Sequence, residues 1–535
     1  MAKTKKLHKN KNIKKDRVAA GKPSPSEDPV VGVQERPASA RRMMKLSQAL
    51  GLANSYSMRG GAQVAQAIYS QLMAQCPKRW EPAVQLLRSY YSVGLIDAAR
   101  LQAHRMLSVL KDNANVIVEV AAFYNLMGEG DKAMELLQQG LEACPNESCA
   151  VIYRNIGNIY DGRGERERAV AFYREALAVR ENDVMSLYSL ARIDRDKSRG
   201  ALLEKLLKVE KSGAASTNEK PYLYFALAYL YENHDNEKYF KHLKIANDAV
   251  AQDPAPYLNQ LKAYLKGASE NLTRERVATF SKAENPASRP PIFIVAPPRS
   301  GTTLVEQILG AHADTQSVGE SGAFAAAVHR VSVEMGGVPF WLWGEESRRK
   351  AVANLEKYFF SHDRIRTNGK YCVVDKSIEN FQHLGLMPLI WPDVRIVRLK
   401  RHPLDTILSC YHQFFGSGQD RFFDLKALAH YYVTVQKYMD LWQALFPENI
   451  MTLEYESLVA DQEGETRRLL AFCQLPWDDA CLDFHNSVGT VLTVSNLQVR
   501  QPLYDKSVAK WKPFYKQLRP AIDILERELG ESFSG

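Results

Sequence analysis

Two kinds of hydrophobic pattern divide the chain. Between residues 42 and 268 the apolar positions follow the pattern of paired amphipathic helices. From residue 291 onward, short continuous apolar runs such as PIFIVA (291–296) and YCVVDKS (371–377) end in polar residues. Such runs are typical of buried parallel strands, and here they alternate with helical stretches. The pattern therefore predicts an all-helical region followed by an α/β domain with a parallel sheet.

Four units of the helical region repeat one another. An alanine recurs at spacings of 34, 34 and 36 residues, at Ala65, Ala99, Ala133 and Ala169. An aromatic residue lies nine positions before each alanine, at Tyr56, Tyr90, Tyr124 and Tyr160, and two units end at Pro77 and Pro145. This pattern resembles tetratricopeptide repeats. Residues 184–220 are a degenerate stretch, and residues 225–250 are interpreted as a further hairpin.

The resemblance implies a superhelix whose concave face grips a peptide or a partner protein. Two other interpretations stay open. The repeats could brace the second domain, or they could form a dimerisation surface that makes the protein a homodimer.

The strand at 291–296 leads into a loop, PPRSGT, and then into a helical segment, TTLVEQILGAH. Backbone N–H groups at a helix amino terminus favour an anion in such a loop. A nucleoside triphosphatase or P-loop kinase would carry GxxxxGK[ST] here. This chain has Ala296 and Thr302 in place of the first glycine and the lysine, and Arg299 supplies a cation instead. The loop therefore favours an anionic donor that needs no P-loop lysine.

Other polar residues also follow predicted strands. Lys376 ends the run at 371–377, Arg401 follows the strand in VRIVRLK (394–400), and Tyr455 ends the strand that begins at 449. Ligands of parallel sheets gather at the carboxyl ends of the strands. We therefore expect Arg299, Lys376, Arg401 and Tyr455 to share one site.

The order of these motifs resembles the sulfotransferase superfamily. PRSGTTL is followed by a glutamate 21 residues after its arginine, by a strand-terminal DK, and by R-x-P-x-D-x-x-x-S at 401–409. The chain most resembles bacterial tetratricopeptide repeat-containing sulfotransferases, whose catalytic domain is similar to tyrosylprotein sulfotransferases. The resemblance implies a three-layer, P-loop-like α/β domain and 3′-phosphoadenosine 5′-phosphosulfate (PAPS) as co-substrate, with no metal.

The resemblance also implies roles for individual residues. The cradle of the 5′-phosphosulfate would be Arg299, Ser300, Gly301, Thr302, Thr303 and Leu304. The remaining donor contacts would be Arg401 and Ser409 at the 3′-phosphate, Tyr455 near the nucleotide, and Lys510 as a late basic contact. The catalytic set would be Glu320 as general base, with Lys376 and Ser495 stabilising the transition state. The chain departs from the family pattern at His402, where an aspartate is usual.

Charge and composition give expectations about nucleic-acid binding, cellular location and domain organisation. The net charge of +9 is concentrated in residues 1–22, which hold eight lysines, so the charge does not indicate a folded basic face that binds nucleic acid. Seven scattered cysteines, no apolar run long enough to span a bilayer and no secretory signal predict a cytoplasmic protein. The predicted organisation is a basic disordered tail (1–41), a tetratricopeptide repeat domain (42–268), a linker (269–289) and a sulfotransferase domain (290–535).

The predicted function is PAPS-dependent transfer of a sulfuryl group to a hydroxyl acceptor. The acceptor could be a protein tyrosine presented in the groove of the repeats. Two alternatives are a sulfotransferase for a small molecule, lipid or glycan whose repeats serve assembly, and a scaffold that binds the nucleotide without turnover.

Overall fold

The computed structural model describes residues 28–534, apart from 36–38, 59–60, 112, 145–146, 284–288, 363–364, 366–371, 416–418 and 487–506. Pro145, Ser495 and the first 27 residues therefore lie outside the described residues. The chain divides into two compact units, residues 1–89 and residues 90–535.

Helical hairpins fill the first half of the chain, as the repeat pattern predicts. The helices are α1 (Leu46–Met58), α2 (Ala62–Gln75), α3 (Glu81–Ser92), α4 (Ile96–Val109), α5 (Ala114–Leu126), α6 (Gly130–Ala143), α7 (Cys149–Arg163), α8 (Arg166–Val179), α9 (Val184–Ile193), α10 (Arg195–Ser212), α11 (Lys220–Tyr231), α12 (Asn236–Asp248), α13 (Ala255–Asn271) and α14 (Arg274–Ala278). Each repeated alanine lies near the start of the second helix of a hairpin and is fully buried. A small side chain at this point lets the two helices of a hairpin approach each other closely.

The predicted disordered tail is wrong for its last part. Strand β1 (Val30–Val33) pairs antiparallel with strand β2 (Arg42–Lys45). Val31 and Val33 are buried, and the side chain of Gln75 on α2 accepts a hydrogen bond from the N–H of Gly32. The apolar run VVGV is too short to stand out in a polar segment, but burial of its valines stabilises the strand.

The predicted linker is also wrong in part, because much of it is packed. Helix α13 extends to Asn271 and α14 follows it. Val277 and Phe280 are buried in the same hydrophobic cluster as the sheet, and the N–H of Ala283 donates to the carbonyl of Leu389 at 2.8 Å. The segment is rich in charge, but its few apolar residues point inward.

A five-stranded parallel sheet forms the centre of the second half. Its strands are β3 (Ile292–Val295), β4 (Thr315–Gly319), β5 (Cys372–Asp375), β6 (Arg395–Lys400) and β7 (Ile450–Glu454). They lie in the order β4-β5-β3-β6-β7, and every pairing is parallel. The accompanying helices are α15 (Thr302–Ala311), α16 (Ala323–Glu334), α17 (Glu345–Phe360), α18 (Met387–Ile390), α19 (Pro403–Tyr411), α20 (Leu425–Leu445), α21 (Tyr455–Ala460), α22 (Gln462–Phe472) and α23 (Arg519–Leu529).

Both faces of this sheet are covered. Phe293 and Val295 of β3 point into one hydrophobic cluster, while Ile292 and Ile294 point into another. Successive side chains of a strand face opposite sides, so the two clusters lie on opposite faces. Helices α15, α21 and α22 supply side chains to the second cluster, and α16, α17 and α20 supply the first. The predicted three-layer α/β domain is confirmed.

The last hairpin helices pack directly on the α/β domain. Phe240 on α12 stacks against Tyr411 on α19, and the amide of Asn247 donates to the Tyr411 carbonyl at 2.9 Å. Tyr438 on α20 donates through its hydroxyl to the carbonyl of Leu261 on α13 at 2.9 Å. Helices α11–α13 and the α/β domain therefore share one hydrophobic core.

The composition raised two questions about the structure, namely the state of the cysteines and the presence of membrane-spanning helices. All seven cysteines are free thiols, and four of them are buried. Across the described ranges, no helix is both long and apolar enough to cross a membrane.

Candidate functional site

Each strand of the parallel sheet delivers a predicted site residue at its carboxyl end. Arg299 follows β3, Glu320 follows β4, Lys376 follows β5, Arg401 follows β6 and Tyr455 follows β7. The sheet order places β3 between β5 and β6, so its loop lies between the loops that carry Lys376 and Arg401. In such sheets a crevice for ligands forms where the strand order reverses.

The loop after β3 has a backbone that few residues adopt. Arg299 and Gly301 have φ angles of 66° and 97°. A Cβ atom on Gly301 would lie 2.6 Å from Cδ2 of Tyr455, so a glycine is required by both conformation and space. Thr302 and Thr303 begin α15 with buried side chains, and the side chain of Leu304 packs in the hydrophobic cluster beneath the loop.

Arg401 and Ser409 both contact the loop. One terminal nitrogen of Arg401 donates to the Arg299 carbonyl at 2.8 Å, and the other donates to the Ser507 carbonyl at 2.5 Å. Nε of Arg299 donates to Oγ of Ser409 at 3.0 Å. The guanidinium of Arg401 also lies over the ring of Tyr455, 4.6 Å from its centroid. The structure thus brings together four residues predicted to contact the donor.

Two of the residues predicted to bind the donor have a buried polar atom without a hydrogen-bond partner among the described residues. These atoms are Oγ of Ser300 and Nε of Arg401. A buried donor without a partner is costly, and an anionic ligand with several oxygens would satisfy both. The arrangement therefore fits a phosphate or sulfate group against the amino terminus of α15.

Lys376 and Glu320 form an ion pair where the strands β5 and β4 end. Nζ of Lys376 lies 2.7 Å from Oε1 of Glu320 and 3.5 Å from Oε2 of Glu306, which lies on α15. The Lys376 side chain is 1% exposed, whereas the Glu320 side chain is 52% exposed. The pair therefore combines a buried cation with a carboxylate that a solvent-borne hydroxyl group could reach.

A hydrogen-bonded aspartate fixes the two loops that carry this pair. Asp375 ends β5 and accepts from the hydroxyl of Ser321, from the N–H of Ser377 at 2.8 Å and from the amide of Asn380 at 3.3 Å. Burial raises the pKa of Asp375, while its hydrogen bonds act in the opposite direction. The N–H of Lys376 also donates to the Gly319 carbonyl, so the ends of β4 and β5 are tied together.

The segment around Lys510 is held over α19. The carboxylate of Asp405 accepts from the N–H groups of Ala509 at 2.7 Å and Trp511 at 3.0 Å. Burial raises the pKa of Asp405, although the Arg401 charge opposes this. The Trp511 ring stacks on His402 with ring centroids 5.1 Å apart. The histidine at the unusual position thus serves to pack the returning chain.

Lys510 itself points to the repeats. Its Nζ lies 3.4 Å from Oε1 of Glu232, the residue that ends α11, and Arg195 pairs with the other carboxylate oxygen. Burial acts to raise the pKa of Glu232, but the charges of His412, Arg195 and Lys510 outweigh it and lower this pKa to about 2. Burial lowers the pKa of His412 to about 4, so His412 is neutral near pH 7. At that pH the charged partners of Glu232 are Arg195 and Lys510.

Sequence reasoning missed three residues of this region. Glu306 and Glu232 belong to helical patterns in which a glutamate is normally exposed, and nothing local marks them as buried. Asp405 was visible as the aspartate of the motif at 401–409, which could have indicated its role. No group of three or more His, Cys, Asp or Glu side chains suited to a metal occurs in the part of the chain that the structure describes. Ser495 lies outside that part, so its placement stays a prediction.

Comparison with known proteins agrees with this geometry. Residues 290–479 match the family model described as "Sulfotransferase family", and residues 112–182 match a tetratricopeptide repeat model. An uncharacterised protein of Aquifex aeolicus (strain VF5) is 29% identical over 410 residues, which are 74% of this chain and 53% of that protein. Protein-tyrosine sulfotransferase A of Caenorhabditis elegans is 24% identical over 238 residues, 42% of this chain and 61% of that protein. The chain therefore spans little more than half the length of these two relatives.

Among solved structures, the sulfotransferase domain from the curacin biosynthetic pathway covers 46% of this chain and 100% of its own, at 18% identity and a TM-score of 0.33.

Proposed function

We propose that the protein transfers a sulfuryl group from PAPS to a hydroxyl group of an acceptor, starting from the match of residues 290–479 to the sulfotransferase family model. One observation carries the proposal. The buried ammonium of Lys376 lies 2.7 Å from the accessible carboxylate of Glu320, at the carboxyl ends of the strands, where the loop that would bind the donor also lies. The residues that would bind the donor and the residue that would accept the proton thus lie at the same end of the sheet.

The donor would be held by the loop after β3 and by the residues around Arg401. The backbone of 299–303 and the Ser300 hydroxyl would bind the phosphosulfate end. Arg401 and Ser409 would bind the 3′-phosphate, because a guanidinium suits a doubly charged phosphate. A nucleoside triphosphate lacks the 3′-phosphate, and Thr302 replaces the lysine that a P-loop kinase needs. Both features favour PAPS over ATP.

Glu320 and Lys376 would carry out the proton transfer and the charge stabilisation. The donor, when bound, supplies an activated sulfur–oxygen bond whose bridging oxygen gains negative charge as it leaves. Glu320 would accept the proton of the attacking hydroxyl group. Lys376 would stabilise the charge on the leaving oxygen more strongly in the transition state than in the ground state.

The repeats would present the acceptor, and the acceptor class we propose is a protein or peptide that reacts through a tyrosine. Two findings support it. Tetratricopeptide repeats commonly bind peptides, and one relative is a protein-tyrosine sulfotransferase. In addition, Glu232 links the end of α11 to Lys510 on the α/β domain. A polypeptide bound near α11 would thus lie on a helix that shares a core with the catalytic domain.

Titration calorimetry with 3′-phosphoadenosine 5′-phosphate (PAP), the nucleotide left after transfer, tests the donor assignment. We expect binding by the wild type and much weaker binding of ATP. Preference for ATP would overturn the assignment. A small-molecule acceptor, or binding of PAP without any transfer, would instead favour the two alternatives to a protein acceptor.

A further inference from the structure

Glu306 is a buried carboxylate that lies beside the ion pair of Lys376 and Glu320. It occupies the second turn of α15, and its side chain is 7% exposed. The hydroxyl of Ser317 on β4 donates to Oε1 of Glu306 at 2.6 Å, and Oε2 lies 3.5 Å from Nζ of Lys376. One oxygen of the Glu306 carboxylate is therefore held by Ser317, and the other oxygen faces Lys376.

Lys376 consequently lies between two carboxylates of different kinds. Glu320 is half exposed and able to meet an acceptor, while Glu306 is enclosed behind the lysine. Asp375 at the end of β5 is a third carboxylate in this region, and its oxygens are held by Ser321, Ser377 and Asn380. Glu306, by contrast, has one oxygen that faces Lys376.

The reaction itself creates the need for a second carboxylate. When Glu320 accepts the acceptor proton it becomes neutral, and the buried ammonium of Lys376 loses its closest counter-charge. An unpaired buried charge is strongly unfavourable, and Lys376 would move or lose its proton. This would happen just as charge builds on the leaving oxygen that Lys376 must stabilise.

We propose that Glu306 is a positioning residue that acts as the permanent counter-ion of Lys376 while Glu320 takes up the proton. The proposal rests on the proposed sulfuryl transfer. In that step the acceptor O–H bond breaks toward Glu320, an oxygen–sulfur bond forms, and the bridging sulfur–oxygen bond of the donor breaks. Glu306 gains and loses no proton, and it keeps Lys376 charged and in place.

Glu306→Gln tests the inference, because glutamine keeps the size of the side chain and an oxygen for Ser317 but removes the charge. We expect PAP binding by calorimetry to stay within about twofold of wild type, since the Glu306 side chain contacts Ser317 and Lys376, neither of which is predicted to bind the nucleotide. The kcat for sulfuryl transfer should fall about tenfold or more, with little change in the acceptor KM, because a poorly positioned Lys376 stabilises the transition state less.

Two further variants distinguish charge from packing. Glu306→Asp keeps the charge and should retain much more turnover than Glu306→Gln. Glu346→Gln removes an exposed carboxylate on α17 and should leave PAP binding, kcat and KM unchanged. Equal losses of kcat in the Asp and Gln variants would show that Glu306 only packs and would overturn the proposal. Wild-type turnover in Glu306→Gln would overturn it as well, whereas a wild type without transfer would overturn the proposed function beneath it.

Discussion

Nζ of Lys376 lies 2.7 Å from Oε1 of Glu320, although the two residues end neighbouring strands and stand 56 positions apart in the chain. Their different exposure gives them different chemistry. The lysine is enclosed, so its charge acts in a medium of low dielectric, while the glutamate remains open to an incoming group. This relationship is the basis of the first prediction.

Lys376→Ala should abolish most turnover without abolishing nucleotide binding. Removing one stabilising cation from a preorganised site lowers kcat by about 10²- to 10³-fold. Radiolabelled sulfuryl transfer measures kcat, and calorimetry with PAP measures binding. Lys350→Ala, which removes an exposed lysine on α17, is the control and should be indistinguishable from wild type. Retention of wild-type kcat in Lys376→Ala would show that the charge on the leaving oxygen is stabilised elsewhere.

Arg401→Ala should weaken PAP binding about 10- to 100-fold, the usual range for losing a charge-assisted hydrogen bond. The effect has two sources, because Arg401 would bind the 3′-phosphate and also orients the Arg299 carbonyl. Adenosine 5′-phosphate, which lacks the 3′-phosphate, should lose less affinity than PAP, because only the contact of Arg401 with the loop then matters. An equal loss for both nucleotides would mean that Arg401 only holds the loop. Arg349→Ala on α17 is the matched control.

Gly301→Ala should destabilise the loop and weaken PAP binding. The added Cβ atom would meet the Tyr455 ring at 2.6 Å, and the backbone has a φ of 97°. Backbone strain alone costs about 1–3 kcal/mol. Gly336→Ala separates the two causes, because Gly336 has a φ of 70° with nothing within 4 Å. Urea unfolding should show a larger loss of stability for Gly301→Ala than for Gly336→Ala, and equal losses would contradict the contact with Tyr455.

Glu232→Gln should remove a pH-dependent part of the stability. The folded pKa of Glu232 is about 2, below its ordinary value of 4.5, so the carboxylate stabilises the fold above about pH 4.5. That contribution is lost as the pH falls from 4.5 toward 2. The thermal midpoint of the wild type should therefore exceed that of Glu232→Gln at pH 7, and the gap should narrow below pH 4.5. Glu237→Gln, an exposed position on α12, should show no such gap, and a constant gap for Glu232→Gln would argue against the ion pairs.

Local sequence patterns predict much of this fold for a physical reason. The repeated alanines and the strands at β3, β5, β6 and β7 are encoded by residues that are close in the chain. Strand β4, with the sequence TQSVG, was not predicted, because it lies at the sheet edge and its polar side chains show no apolar run. Its carboxyl end nevertheless places Glu320 beside Lys376.

Contacts between distant residues could not be read from the sequence. The donor contact of Lys510 stays a prediction, and in the structure its ammonium group pairs with Glu232, 278 positions away. Glu306 lies on α15, the helix that follows the loop. Only the contact between its carboxylate and Ser317 on β4 shows that its side chain points inward. Such contacts depend on tertiary structure and leave no periodic signal.

Transfer of radiolabelled sulfate from PAPS to pools of peptides, glycans and small phenols tests the central claim most directly. The assay should compare the wild type with Glu320→Gln, and PAP binding should be measured in parallel. We predict that the wild type labels an acceptor in the peptide pool, and that Glu320→Gln binds PAP normally but loses transfer. Equal labelling by the two proteins would show that Glu320 is not the base. PAP binding without labelling in any pool would contradict the claim that this protein is a sulfotransferase.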